Sequence, residues 1–165
     1  VETPEKINIL DLGCGTGSLA CFLRPYAKTL DGLDLSPDMI KIAGETGLYD
    51  SLIEHEIETH LAKISIQYDV IVAAAVLVHF YDLQNILSLI WNRLKKNGKL
   101  IFSVFEGSVN EKELNDFLMY AHSDRYITNL ASSLSFQVNY RKNAIHEYHS
   151  EKPVSALVYV FQKIE

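Results

Sequence analysis

The chain has 165 residues, 48% of them apolar and 22% charged, with a net charge of −6. That balance suits one soluble globular domain and excludes a disordered chain. The longest apolar run, Val70 to Val78, is too short for a membrane helix of roughly 20 residues. The acidic balance argues against sequence-independent nucleic-acid binding, which needs a basic face.

The chain opens on Val1 rather than Met, with a polar start through Lys6 and no signal-peptide pattern. The two cysteines, Cys14 and Cys21, have no metal-site spacing and cannot build a disulfide framework. Both read as reduced thiols, and the expected location is the cytoplasm. No metal site is expected.

In chain order, Ile7–Asp11 reads as a strand followed by a glycine cluster. Ser18–Tyr26 reads as a helix with Leu19, Phe22 and Leu23 on one face. Thr29–Leu35 is a second strand, and Ser36-Pro37 is a helix start running through Met39, Ile40 and Ala43 to a stop at Gly44 and Gly47. Leu52–His55 is a short strand and Ile57–Lys63 a short helix.

Tyr68–Ala74 is apolar almost throughout, as a strand buried on both faces should be. Leu83–Lys96 is an amphipathic helix, with Lys95 and Lys96 expected in its last turn and Gly98 just past it. Lys99–Phe105 is a strand and Asp124–Leu134 a helix. Phe136–Tyr148 and Val154–Gln162, joined around Glu151-Lys152-Pro153, should pair antiparallel. Five βα repeats closed by a strand pair predict an α/β fold: a doubly wound, mostly parallel seven-stranded sheet with a C-terminal antiparallel pair. Ligands of such sheets bind at the carboxyl ends of the strands, beside the first.

Residues 10–17, LDLGCGTG, sit at that place. Gly13, Gly15 and Gly17 allow a tight turn and close approach of a ligand. The spacing is GxGxG, with Ser18 where a dinucleotide fingerprint would carry its third glycine. Asp11 sets a carboxylate against this loop, which repels a pyrophosphate and attracts an ammonium or sulfonium. Asp34, ending the second strand, can accept the two hydroxyls of a ribose.

LDLGCGTG, DGLDLSPDMI and LKKNGKLIFSV resemble motifs of the class I S-adenosylmethionine (SAM)-dependent methyltransferases. GLYDSLIEHEIETHL, YDVIVAAAVLVHFYDL, YAHSDRYI and KPVSALVYV resemble, more narrowly, a bacterial group of predicted methyltransferases, some attached to tetratricopeptide repeats. The resemblance implies one Rossmann-like SAM-dependent domain over residues 1–165, lacking an N-terminal segment that would cover the substrate.

It implies that Asp11 holds the methionine end of SAM while Gly13, Cys14, Gly15, Thr16 and Gly17 form the loop against the ligand. By the same resemblance Asp34 holds the ribose, and Leu35 and Met39 lie against the adenine. Glu56 reaches the adenine amino group with Ile57 beside it, and Ala74 and Ala75 line the methionine side. The product would be S-adenosyl-L-homocysteine (SAH). Ala75 stands where the narrower group commonly has Asp, and Met119 where it often has Arg.

His79, after the fourth strand, and His122, after the fifth, are the candidate bases, with Tyr81 and Tyr120 behind them. His55, His60, His146 and His149 read as surface or strand polar residues. No Asn-Pro-Pro-Tyr-type sequence follows the fourth strand, where AAAVLVHF stands, which argues against amino methylation of nucleic acid. The expected activity is methyl transfer to a small-molecule acceptor. The rivals are a protein or RNA methyltransferase guided by another domain, and a SAM-binding module without catalysis. A nicotinamide oxidoreductase is more distant, because it would require the dinucleotide spacing.

Overall fold

The computed structural model describes residues 5–108, 112–114, 119–149 and 152–164. Strands β1 (Ile7–Leu12), β2 (Ala27–Asp34), β3 (Ser51–Glu54), β4 (Tyr68–Ala73) and β5 (Leu94–Glu106) run parallel in the order β3-β2-β1-β4-β5. The strand order reverses at β1, so the crevice opens between the carboxyl ends of β1 and β4.

Helices lie on both faces. Helices α3 (Ile57–Lys63), α4 (Gln84–Arg93) and α5 (Asp124–Ser133) bury Ile57, Leu61, Ile86, Leu87, Ile90, Ile127 and Leu130 in the larger core, with Leu10, Leu12, Leu33 and Ile71. The opposite face packs Ile9, Leu30 and Val72 against Ala20 of α1 (Ala20–Leu23), with Leu19 and Leu23 beside them. Consecutive β1 residues thus serve opposite faces, as the pleat requires. Helix α2 (Pro37–Glu45) starts as expected, with the Ser36 hydroxyl accepting the Met39 N–H at 3.4 Å.

Strands β8 (Phe136–His149) and β9 (Lys152–Lys163) pair antiparallel, and β9 adds antiparallel to β5 over Lys99–Phe105. Ser150 and Glu151, in the expected connection, lie outside the described residues, as do the side chains of His146 and His149. Lys163 closes the pair onto α4: its Nζ donates to the carbonyls of Trp91 and Leu94 and sits 3.7 Å from the centre of the Trp91 ring.

Two expectations are corrected. The helix over Ser18–Tyr26 is only one α-turn followed by a 3₁₀ turn at Arg24–Tyr26, and Phe22 is exposed. Pro25 lacks the N–H that would continue the ladder. Helix α4 ends at Arg93, and Lys95 and Lys96 belong to β5. Leu94 pairs with Tyr68 and Lys99 with Val70, so the intervening residues bulge, with Asn97 at φ 62°. Gly98 permits the close approach there, since a Cβ would stand 2.8 Å from the Lys95 carbonyl oxygen.

Among the described residues the seven strands β3-β2-β1-β4-β5-β7-β6, which include β6 (Lys112–Leu114) and β7 (Tyr120–His122), form one sheet with the antiparallel pair β8–β9, in agreement with the expected fold class. β7 pairs with Phe105 and Glu106, past Phe102 where β4 leaves β5. The β6–β7 ribbon therefore stands over the turn that follows β4. Among the described residues, no helix is long and apolar enough to cross a membrane.

Candidate active site

The loop after β1 is held by β2. The N–H groups of Gly13 and Cys14 both donate to the Leu33 carbonyl, at 2.8 and 3.0 Å. Gly15 N–H donates to Asp34 Oδ2 at 2.9 Å, and Ser36 N–H to Asp34 Oδ1 at 2.9 Å. One carboxylate thus ties the glycine loop to the start of α2. Gly13, Gly15 and Gly17 have φ of 66°, 54° and 82°, a region in which other residues are strained. At Gly13 a Cβ would also stand 2.5 Å from Val76 Cγ2, whereas at Gly15 it would meet nothing within 4 Å. Gly13 serves close packing; Gly15 leaves an open face on the loop.

Beside this loop lies a cleft of about 510 Å³, lined by Gly13, Asp34, Leu35, Glu56, Ile57, Ala74, Ala75, Val76, His79 and Phe80. Eight residues expected from the sequence meet there. Val76 and Phe80 were not anticipated; both fall in the apolar stretch after β4, where composition does not separate a wall from a core.

Glu56 caps α3, accepting the Glu58 and Thr59 N–H groups at 2.9 and 2.7 Å. Burial pushes its carboxyl up, but these bonds outweigh it and hold it below the usual range. Ala75 has φ 58°, and its N–H donates to Ser103 Oγ on β5 at 2.9 Å. Alanine in the left-handed region carries backbone strain of about 1–2 kcal/mol.

Asp11 is 2% exposed, behind the loop. Burial pushes its carboxyl up to about 6, the Tyr49 hydroxyl pulls it down, and the charge of Asp34 adds to the rise. Cys14 is buried as well, and burial with the charges of Asp11 and Asp34 raises its thiol to about 12, leaving it inert at neutral pH. Of the expected residues, Asp11, Cys14, Gly15, Thr16, Gly17 and the 37%-exposed Met39 lie outside the cleft lining.

The two histidine candidates separate. His79 ends the 3₁₀ turn Leu77–His79, is exposed and lines the cleft. His122 is the last residue of β7 and wholly buried, stacked on Tyr126 with ring centres 5.6 Å apart. Its Nε2 lies 3.3 Å from the Tyr81 carbonyl oxygen, and it does not line the cleft. Tyr81 and Tyr120 meet edge to face at 5.4 Å. His55, just before the Glu56 cap, and His60, within α3, are half-buried with ring centres 5.8 Å apart.

Chemically, the cleft offers two fixed carboxylates, the backbone of Gly13 and apolar walls from Leu35, Ile57, Val76 and Phe80. Among the described residues, no group of three or more His, Cys, Asp or Glu side chains could hold a metal.

A curated relative, the ubiquinone biosynthesis O-methyltransferase of Klebsiella pneumoniae, is 31% identical over 99 residues, 58% of this chain and 41% of that protein. The chain thus spans about two fifths of the length of the curated relatives it matches. Among solved structures, the N-methyltransferase NodS from Bradyrhizobium japonicum, crystallised with SAH, superposes with TM-score 0.78 at 20% identity, over 97% of this chain and 80% of that one. Magnesium protoporphyrin IX methyltransferase from Synechocystis PCC 6803 with bound SAH gives TM-score 0.75 at 16% identity, over 96% and 74%. At these identities the likeness shows the fold. The family is shown by sequence: a model described as a methyltransferase domain matches residues 2–151, and the chain belongs to that family.

Proposed function

We propose that this chain binds SAM in the cleft beside the glycine loop and transfers its methyl group to a small-molecule acceptor. The observation that carries the reading is the Asp34 clamp: one carboxylate holds Gly15 of the loop and also lines the cleft. When bound, SAM supplies a methyl on a sulfonium whose leaving group is a neutral thioether.

Asp34 accepts one N–H at each oxygen and keeps lone pairs for two ribose hydroxyls. Leu35 and Ile57 wall the adenine, and Glu56 accepts from its amino group while capping α3. Met39 extends the Leu35 side at the rim. Asp11 attracts the ammonium of the amino-acid end, directly or through a water. Cys14 and Thr16 serve as backbone of the loop, and Ala74 and Ala75 line the methionine side.

Methyl transfer of this kind gains most from alignment of the reacting atoms. Where the acceptor must lose a proton, His79 is the base, because it is exposed and shares the cleft with Ala75 and Phe80. His122, the last residue of β7 and wholly buried, is then a packing residue. A small acceptor is favoured by the curated relatives, which act in ubiquinone biosynthesis. The quoted segments also favour the narrower bacterial group.

Calorimetric titration with SAH tests the binding half. No heat and no thermal shift with SAH, alongside stabilisation by NAD, would sink the reading. A screen of acceptors with methyl-labelled SAM tests the transfer. With an acceptor in hand, His79→Ala should lower turnover about 100-fold at unchanged SAH affinity. Full activity would leave alignment alone as the source of rate.

A further inference from the structure

Tyr49, in the segment between α2 and β3, does not line the cleft, yet it reaches the acid behind the glycine loop. Its hydroxyl donates to Asp11 Oδ2 at 2.7 Å. The ring packs against two residues that lack side chains. A Cβ at Gly32, on β2, would stand 2.8 Å from Tyr49 Cε1, and one at Gly17 would stand 3.1 Å from Cε2. The segment carrying Tyr49 is itself pinned. Asp50 Oδ2 accepts the Leu30 N–H at 2.7 Å and Arg24 Nη1 at 2.6 Å.

We propose that Tyr49 is a positioning residue: seated in the slot left by Gly17 and Gly32, its hydroxyl fixes the Asp11 carboxylate for the ammonium at the amino-acid end of SAM. This rests on the proposed SAM site and adds to it a residue from a different segment of the chain. Asp11 accepts one hydrogen bond among the described residues, at Oδ2, so Oδ1 is left for the ligand. Three groups face Asp11: Tyr49 from the segment before β3, Asp34 from β2, and Cys14 from its own loop. Burial sets its carboxyl near 6 and Tyr49 holds it from going higher. The phenol itself stays neutral, since burial and the charge of Asp11 push it far above its ordinary range.

The test is SAH titration by calorimetry from about pH 5 to pH 8, on the wild-type chain, Tyr49→Phe and Gly32→Ala. Wild-type affinity should fall below about pH 6, as Asp11 takes up a proton. Tyr49→Phe keeps the ring and removes the hydroxyl, so the fall should begin about one pH unit higher. Affinity at pH 6–7 should drop about tenfold, in the range of a lost hydrogen bond to a charged group. Gly32→Ala displaces the ring by a different route and should shift the profile in the same direction.

A purely structural Tyr49 would lower the melting temperature and leave the pH profile in place. An unchanged profile and affinity in folded Tyr49→Phe overturn the proposal while the SAM site stands. Failure of the wild-type chain to bind SAH at any pH overturns both.

Discussion

Asp34 and Asp124 are both carboxylates that each draw in two donors, yet they hold different things. Asp34 takes backbone N–H groups from Gly15 and Ser36, so it sets the path of two loops. Asp124, at the start of α5, takes the Tyr159 hydroxyl at 2.6 Å and Arg141 Nε at 2.7 Å, so it ties a helix to the outer strands by side chains alone. In the first half Asp50, Glu56 and Asp69 also grip main-chain N–H groups. In the second half, Asn143 to Glu106 and Asn139 to Gln162 are further ties between side chains. A lost backbone clamp should therefore deform the site, and a lost side-chain tie should only loosen packing.

The largest effect belongs to the loop itself. Gly13→Ala places a Cβ 2.5 Å from Val76 at φ 66°, combining left-handed strain with overpacking for about 3 kcal/mol. Denaturant unfolding should show that loss, and SAH binding should disappear with it. Unaltered unfolding and binding would mean that the loop can shift away from Val76 at little cost.

Asp34→Ala should cost about 1–2 kcal/mol of stability, as two part-buried N–H groups lose their acceptor. It should also weaken SAH by about 10- to 100-fold, combining the ribose contact with a displaced loop. Calorimetry and chemical unfolding on the same sample separate the two. Stability loss with intact SAH affinity would place the ribose away from Asp34.

Asp124→Ala is the contrasting change, with the smallest effect. About 1 kcal/mol of stability should go, because its carboxylate is 42% exposed and its pairing with Arg141 is screened. SAH affinity should stay put. Burial raises the Asp124 carboxyl, but Tyr159 and Arg141 outweigh it and hold it below 3.8. An acid depressed in the folded state stabilises above its unfolded value and loses that stabilisation as pH falls through the folded one. The gap between wild type and variant should therefore be full above about pH 4 and close below it. A gap that persists in stronger acid would assign the tie to shape rather than charge.

Legibility follows the same boundary. β1, the glycine loop, Asp34, the Ser36 cap and α3 were readable because each depends on neighbours in sequence. Asp34 and Glu56 could be picked out by position, but their grip on backbone N–H groups appears only in the folded chain. The short α1 could have been read from Pro25, whose missing N–H is a local signal. The bulge at Asn97 had no comparable mark, since it depends on the register of β5 against β4. β6 and β7 are three residues each, too short for alternation to show. Burial of His122 follows from their pairing, so its removal from the cleft was equally hidden. Tyr49 meets Asp11 across 38 positions, a distance at which only tertiary packing carries information.

The carboxylates of Asp34 and Glu56 take up their positions on backbone N–H groups without help from any ligand. Side chains already frozen by the fold lose little rotamer freedom on binding, a saving of about 0.5–1.5 kcal/mol for each. Recognition at this end of the cleft thus approaches lock and key. Encounter with a nucleoside should be governed by diffusion and desolvation, without a slow rearrangement before capture.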